Sequence, residues 1–312
     1  MAPVAISGAF AKRHVISTSL GCCRRIYRPL LWTAARLGVA CCLIFAGATL
    51  VILPLLPNRD IGPYGALNLY KIWIVVILVM GITAMGYIAT RWLGSRYGLP
   101  IAGLASGFIS STATIGAMAA RVTSNPAVLK PAVAGAILST IATVIQLALV
   151  LIAVSPATLR SISLSLILAG VAAVGYAAAF TIRALQETSS SEEPRGHAFN
   201  LLAAVLFALT LSVVLLTAAA LQDWFGESGV FIAAGVAGFI DAHSAAISVA
   251  SLVASGKIGP SDAVLPILTA FSTNTATKII LSVSSGGRRF ASRVIPGLII
   301  AVLAAWAGTY VG

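Results

Sequence analysis

Charge is scarce in this chain, and acid is scarcest. Of 312 residues only 8 are Asp or Glu, and 9% are charged while 59% are apolar, against about 25% charged in ordinary soluble domains. That balance excludes a conventional water-soluble fold. Histidine is scarce too: His14, His197 and His243 lie far apart, so a catalytic triad or hydrolytic metal cluster has little to build on. There is no phosphate-binding glycine loop, no His-Glu-x-x-His and no Gly-x-Ser-x-Gly. Neither an enzyme nor a cofactor is expected. The four cysteines form two vicinal pairs, Cys22-Cys23 and Cys41-Cys42, which have neither metal-ligand spacing nor the pattern of a disulfide framework.

What the chain does have is apolar length. Stretches of about 20 apolar residues recur, the mark of a polytopic membrane protein. The net charge of +12 would suggest nucleic acid in a soluble protein. Here the basic residues flank apolar runs, so they read as topology signals and contacts to anionic lipid, and nucleic acid is not expected. Residues 1–36 form a basic tail, and 37–56 reads as an uncleaved signal anchor.

An all-α membrane bundle of nine spans is predicted, at about 37–56, 70–92, 99–120, 131–154, 162–185, 198–221, 229–254, 263–284 and 291–311. A cytoplasmic N-terminus keeps Arg91, Arg96, Arg160, Arg288, Arg289 and Arg293 inside with the tail. It leaves Arg59, Lys71, Arg121, Lys130, Arg183, Arg195 and Lys257 outside, which favours N-in, C-out.

One polar stretch, "QETSSSEEPRGH" at 186–197, divides the chain into a first membrane repeat, 70–185, and a second, 198–312. "GLPIAGLASGFI" (98–109) aligns with "GVFIAAGVAGFI" (229–240), with six of twelve positions identical. "WLG" (92–94) matches "WFG" (224–226), and "ILSTIAT" (137–143) matches "ILTAFST" (267–273). A tandem duplication is expected, as in many secondary transporters. If 99–120 and 229–254 dip in and return, the repeats are inverted; if they cross, the repeats are parallel.

Asp241 and Lys278 are the charged side chains placed well within the apolar spans. Each costs about 2.5–3.5 kcal/mol at mid-bilayer on insertion scales, so each needs a partner, water or a ligand. Ser244, Ser248 and Ser251 follow Asp241 at helical spacing, and Asn274 precedes Lys278 by one turn. Pro266 is expected to interrupt its helix. An Asp241–Lys278 contact between neighbouring spans is expected, either as an ion or solute site or as a structural lock. His243 points about 200° from Asp241 on a regular helix, which suits packing better than a joint metal site. At the repeat offsets Asp241 corresponds to Ser110, His243 to Thr112, Asn274 to Val144 and Lys278 to Ala148. One asymmetric site follows, with Asp241, Asn274, Lys278 and Ser244 in the second half and Ser110 and Thr112 in the first. Asp241 and His243 are the candidates for any metal.

"LVILPLLPNRDIGPYGALN", "GFISSTAT", "WFGESG", "GFIDAHSAAIS", "TNTATK" and "GGRRFASRV" together resemble the integral membrane domain found C-terminal to MgtC/SapB-type domains. That family has no known function, although longer members are often labelled magnesium transport proteins. The resemblance runs from about Arg36 to the C-terminus and places Asp241, Asn274 and Lys278 on motif positions. His243 stands where many relatives carry a second aspartate, and no MgtC-like part precedes the domain here. The resemblance implies a bacterial inner-membrane bundle acting as a permease for a small ion or solute, or else a regulatory or scaffolding module. Expected partners are lipid, that small ion or solute, and a second copy or another membrane protein.

Overall fold

The computed structural model describes residues 47–184 and 201–311, Ala66 excepted. Apart from one isolated bridge, Ile61 with Leu67, the described residues are helical or connecting. The main helices are α1 (Leu69–Ser124), α2 (Leu129–Val154), α3 (Pro156–Ala184), α4 (Leu201–Phe225), α5 (Glu227–Ile240), α6 (Ala242–Ala254) and α7 (Val264–Val311). Helices satisfy their own backbone polar groups, which an apolar surrounding demands.

Among the described residues, six stretches are long and apolar enough to cross a membrane: Leu69–Ala89, Gly98–Ser124, Pro126–Val154, Pro156–Phe180, Val205–Phe225 and Val264–Val311. This differs from the nine predicted spans. Half of 37–56, residues 37–46, lies outside the described residues, as does the linker 186–197. The segment 229–254 is two helices of 14 and 13 residues, each too short to cross alone. The last two predicted spans are one helical run bent at Gly287 (φ 65°, ψ 177°). Pro266 does not interrupt α7: it is the third residue of that helix, in the first turn, where a missing N–H costs nothing.

Two kinds of reversal shape the bundle. At Gly98 (φ 80°) and Gly226 (φ 62°) the backbone takes a left-handed conformation open to glycine. The chain then doubles back, bringing Gly86 against Phe108 and Gly229 against the Leu221 carbonyl. The other kind uses one extended residue between helical neighbours. Ser110 inside α1 has φ −164°, ψ 108°. Asp241, between α5 and α6, has φ −158°, ψ 119°.

Both extended breaks make hairpins. Thr114 Oγ1 donates to Ser106 Oγ at 3.0 Å, although residues eight apart on a straight helix are separated by about 12 Å. The two arms of this hairpin run along α2 toward one end. Gly107 and Ser111 meet Ser139, while Gly103 and Met118 meet Gly135. In the second hairpin, Gly229 of α5 lies on Leu221 of α4, and Ser248 of α6 donates to the Val214 carbonyl of α4. A helix running straight through Asp241 would carry Ser248 roughly 18 Å past that point.

The hairpins open at opposite ends of the bundle. At the foot of the first, Thr123 Oγ1 donates to the Ser285 carbonyl, at the end of α7's 264–286 segment. At the foot of the second, Val249 and Leu252 share a core with Ala263 and Ile267, where that segment begins. The 69–97 arm, α2 and α3 therefore traverse the bundle before residues 185–200. Helix α4 and the two segments of α7 traverse it afterwards.

Small residues permit this packing. A Cβ at Gly103 would sit 2.3 Å from the Gly135 Cα, and one at Gly238 would sit 2.4 Å from the Ala270 carbonyl oxygen. Large apolar side chains such as Ile152, Ile167, Val171, Leu209 and Leu303 face outward, toward lipid. Gly103→Ala should therefore cost about 1–3 kcal/mol, because backbone rather than a flexible side chain must move. Gly116→Ala, where nothing lies within 4 Å, should be neutral or stabilising by up to about 1 kcal/mol. Thermal unfolding in detergent checks both, and equal effects would contradict the close approach.

Candidate functional site

The first N–H groups of a helix have no partner within it. At the tip of the second hairpin Asp241 supplies one. Its Oδ1 accepts from His243 N at 3.1 Å and its Oδ2 from Ser244 N at 2.8 Å. Ser244 Oγ donates to Oδ2 at 2.5 Å, and His243 Nδ1 lies 2.9 Å from Oδ1. An acid is tolerated here because it meets four donors at the positive end of a helix dipole. The expectation that His243 faces away from Asp241 fails because the helix is interrupted at residue 241 itself.

Ser110 serves the first hairpin in a weaker way. Its Oγ accepts from Ala113 N at 3.2 Å, and its carbonyl accepts from Thr114 Oγ1 at 2.8 Å. The carbonyls stranded just before each break are also satisfied. Phe108 O accepts from Gln146 Nε2 at 3.3 Å, and Phe239 O accepts from Thr277 Oγ1 at 3.0 Å.

Between the tips lies Lys278, with no exposed surface. The expected Asp241–Lys278 contact is not made. Lys278 Nζ donates instead to Thr143 Oγ1 of α2 at 3.2 Å, and the side chain paired with Asp241 is His243. The Asp241 charge reaches Lys278 only through space. Asn274, one turn from Lys278, is buried. Ser110 and Thr112 sit at the first tip and are not brought to Asp241. That tip is joined to the centre by hydroxyls: Ser111 Oγ meets Ser139 Oγ at 3.1 Å, and Thr143 Oγ1 donates to Ser139 O at 3.4 Å.

Sequence reasoning missed Ser139, Thr140, Thr143 and Gln146. They form a polar stripe at helical spacing in an otherwise apolar span, a signal that was available. Two buried atoms in this region lack partners among the described residues, Thr140 Oγ1 and His243 Nε2. For a metal, Asp241 and His243 stand as a pair, and no third His, Cys, Asp or Glu joins them among the described residues.

A cavity of about 420 Å³ opens where the second hairpin has its foot. Asp60, Asn68, Lys71 and Lys257 stand at its polar side, and Val75, Leu211, Leu215, Ile247 and Ser251 line it more deeply. Asn68 Nδ2 donates to Asp60 Oδ1 at 3.0 Å and Lys71 Nζ lies 3.7 Å from it. The Asn68 hydrogen bond, then the Lys71 charge, hold the Asp60 carboxyl below the usual carboxylate range.

Apolar traversing helices around an interrupted, polar centre define a multi-helix membrane protein. The chain belongs to the family described as Domain of unknown function (DUF4010), whose model matches residues 77–286. That stretch includes both hairpin tips, Thr143 and Lys278. No curated protein and no solved structure matches the chain.

Asp241→Ala removes the cap and should cost about 1–2 kcal/mol, whereas Asp241→Asn, also a strong N-cap, should cost less. Thermal unfolding in detergent measures the difference. Equal losses would mean that the charge, not the cap, is what α6 requires.

Proposed function

We propose that the protein is a secondary permease of the bacterial inner membrane, moving a small ion or solute through a site between the two hairpin tips. The observation that carries this reading is the pair of helical hairpins that open at opposite ends and stop at interrupted, polar tips. Such broken helices place helix termini and freed carbonyls at mid-membrane, where transporters bind ions and solutes. The Asp241–His243–Ser244 cluster would form one side of the site, Ser110 and Thr112 the other, with Asn274, Thr143 and Lys278 between. The cavity beside α6 offers an aqueous approach from one end. The motif resemblance to the MgtC/SapB-associated domain fits this reading without naming the cargo.

A tandem duplication underlies the architecture in this reading, and one offset of 131 residues supports it around the two tips. It relates Ser110 to Asp241, Phe108 O to Phe239 O, and their donors Gln146 and Thr277. It also relates Gly107 on Ser139 to Gly238 on Ala270. The same register pairs Asn274 with Thr143 rather than Val144, and Lys278 with Leu147 rather than Ala148. With three traversing segments and one hairpin each, the repeats would be inverted.

The hairpins also change the sides assigned to the basic residues. Arg121, Lys130, Arg288, Arg289 and Arg293 fall at the end where the first hairpin opens, and Arg59, Lys71, Arg160 and Lys257 at the other. The first end would be cytoplasmic by the positive-inside rule.

A second reading has one observation in its favour: Asp241 is satisfied within its own hairpin, as a sealed regulatory or scaffolding module would require. Labelling separates the two. In a chain whose native cysteines are replaced by alanine, Thr112→Cys and His243→Cys should react with a membrane-impermeant thiol reagent applied to oriented vesicles. Protection of both tips from both sides would favour the module.

A further inference from the structure

We propose that the coupling ion is the proton and that Lys278, rather than Asp241, carries it; this rests on the permease reading above. Asp241 is the obvious candidate by sequence, since it is the acid in the apolar region. Its geometry argues otherwise. Both oxygens already accept two donors each, from His243 and Ser244. Protonating the carboxyl would break part of the cap that starts α6. Asp241 is a fixed anion.

Lys278 is the opposite case. An ammonium has three N–H donors, and among the described residues its hydrogen-bond partner is the single Thr143 hydroxyl. A neutral amine can donate to that hydroxyl or accept from it, so Thr143 suits either form. Lys278 has no exposed surface, so the structure as it stands offers no room for a cargo ion at Nζ. A proton needs none.

Among the described residues the charge has a single acidic counterpart. Asp241 is the group whose charge acts on Lys278, with His243 beside it on the same hairpin. Helix α2 contributes Lys130, at its start. Helix α1 brings Arg121, α3 brings Arg160 and α7 itself brings Arg288, all toward the ends of the bundle; the phenols Tyr87 of α1, beside Gly86 on Phe108, and Tyr176 of α3 lie at intermediate depth. Protonated Lys278 balances Asp241 across the gap between the tips. Its contact with Thr143 links α7 to α2, on opposite sides of the linker, and Thr140 Oγ1, one turn away, is an unpartnered hydroxyl. Gain or loss of the proton therefore adds or removes the charge that balances Asp241, while the Thr143 contact can join the two halves in either form. In each cycle one Nζ–H bond breaks, the proton passes to water on one side, and the amine lone pair takes a proton from water on the other.

The test uses vesicles of phosphatidylethanolamine and phosphatidylglycerol holding the full chain and a trapped pH dye. Gradients of sodium, potassium, magnesium, chloride or phosphate are imposed in turn, with tracer flux of the same ion measured alongside. At least one gradient should drive proton movement in the wild type. Lys278→Gln should lower the number of protons moved per tracer ion about tenfold or more. Asp241→Asn alters the site and should slow flux, yet the protons moved per ion should stay at the wild-type ratio. Where the glutamine variant does not fold, Lys278→Met keeps the apolar stem and serves in its place. The proposal is overturned if the Lys278 variant still moves protons with the ion. It is equally overturned if the wild type moves an ion without protons, or if no gradient moves protons. Those outcomes leave the permease reading to the labelling of the two tips, so the two failures are distinguishable.

Discussion

Every feature near the centre of this molecule answers one constraint: a broken helix exposes backbone donors and acceptors that an apolar surrounding cannot satisfy. Each such group costs several kcal/mol if left alone. At the second break Asp241 takes the two N–H groups that open α6, and Thr277 takes the Phe239 carbonyl. At the first, Ser110 and Gln146 do the same for Ala113 and Phe108. The polar side chains that meet the two breaks are therefore those that breaking two helices demands. Asp241 is a capping residue before it is anything else.

The two tips differ in charge although they share a backbone shape. A serine cap suffices for the first. The second carries a carboxylate, and a carboxylate there calls for positive charge nearby. His243 supplies it at hydrogen-bond distance if protonated, and Lys278 supplies it from across the centre. Because Lys278 bonds Thr143 and not Asp241, charge balance and helix packing are separate duties, and a proton on Lys278 can change without dismantling the cap.

Much of the fold was legible in the sequence. The predicted spans 131–154 and 162–185 fall on α2 and α3 (Leu129–Val154 and Pro156–Ala184), because hydropathy and helix length respond to the same requirement. What hydropathy does not encode is direction. The run Gly98–Ser124 has 27 residues, enough to cross, and only contacts between its arms, such as Ser106 with Thr114, show that it folds back. The misplacement of His243 has a related cause, since one extended residue resets the helical register assumed for everything after it. Asp241 and Lys278 were conspicuous by the cost of burying charge. Thr143 was not, because its role depends on a partner 135 residues away.

The folding back of both hairpins underlies the position of the tips, and the proposed inverted repeats and sidedness rest on it; it can be measured directly. Single cysteines at Ser95 and Ser124 flank the first hairpin, and others at Glu227 and Ser255 flank the second. With a membrane-impermeant thiol reagent applied from one side at a time, Ser95→Cys and Ser124→Cys should label together from one side. Glu227→Cys and Ser255→Cys should label together from the other. Labelling of Ser95→Cys and Ser124→Cys from opposite sides would mean that this stretch crosses the membrane, and the hairpin account would be contradicted.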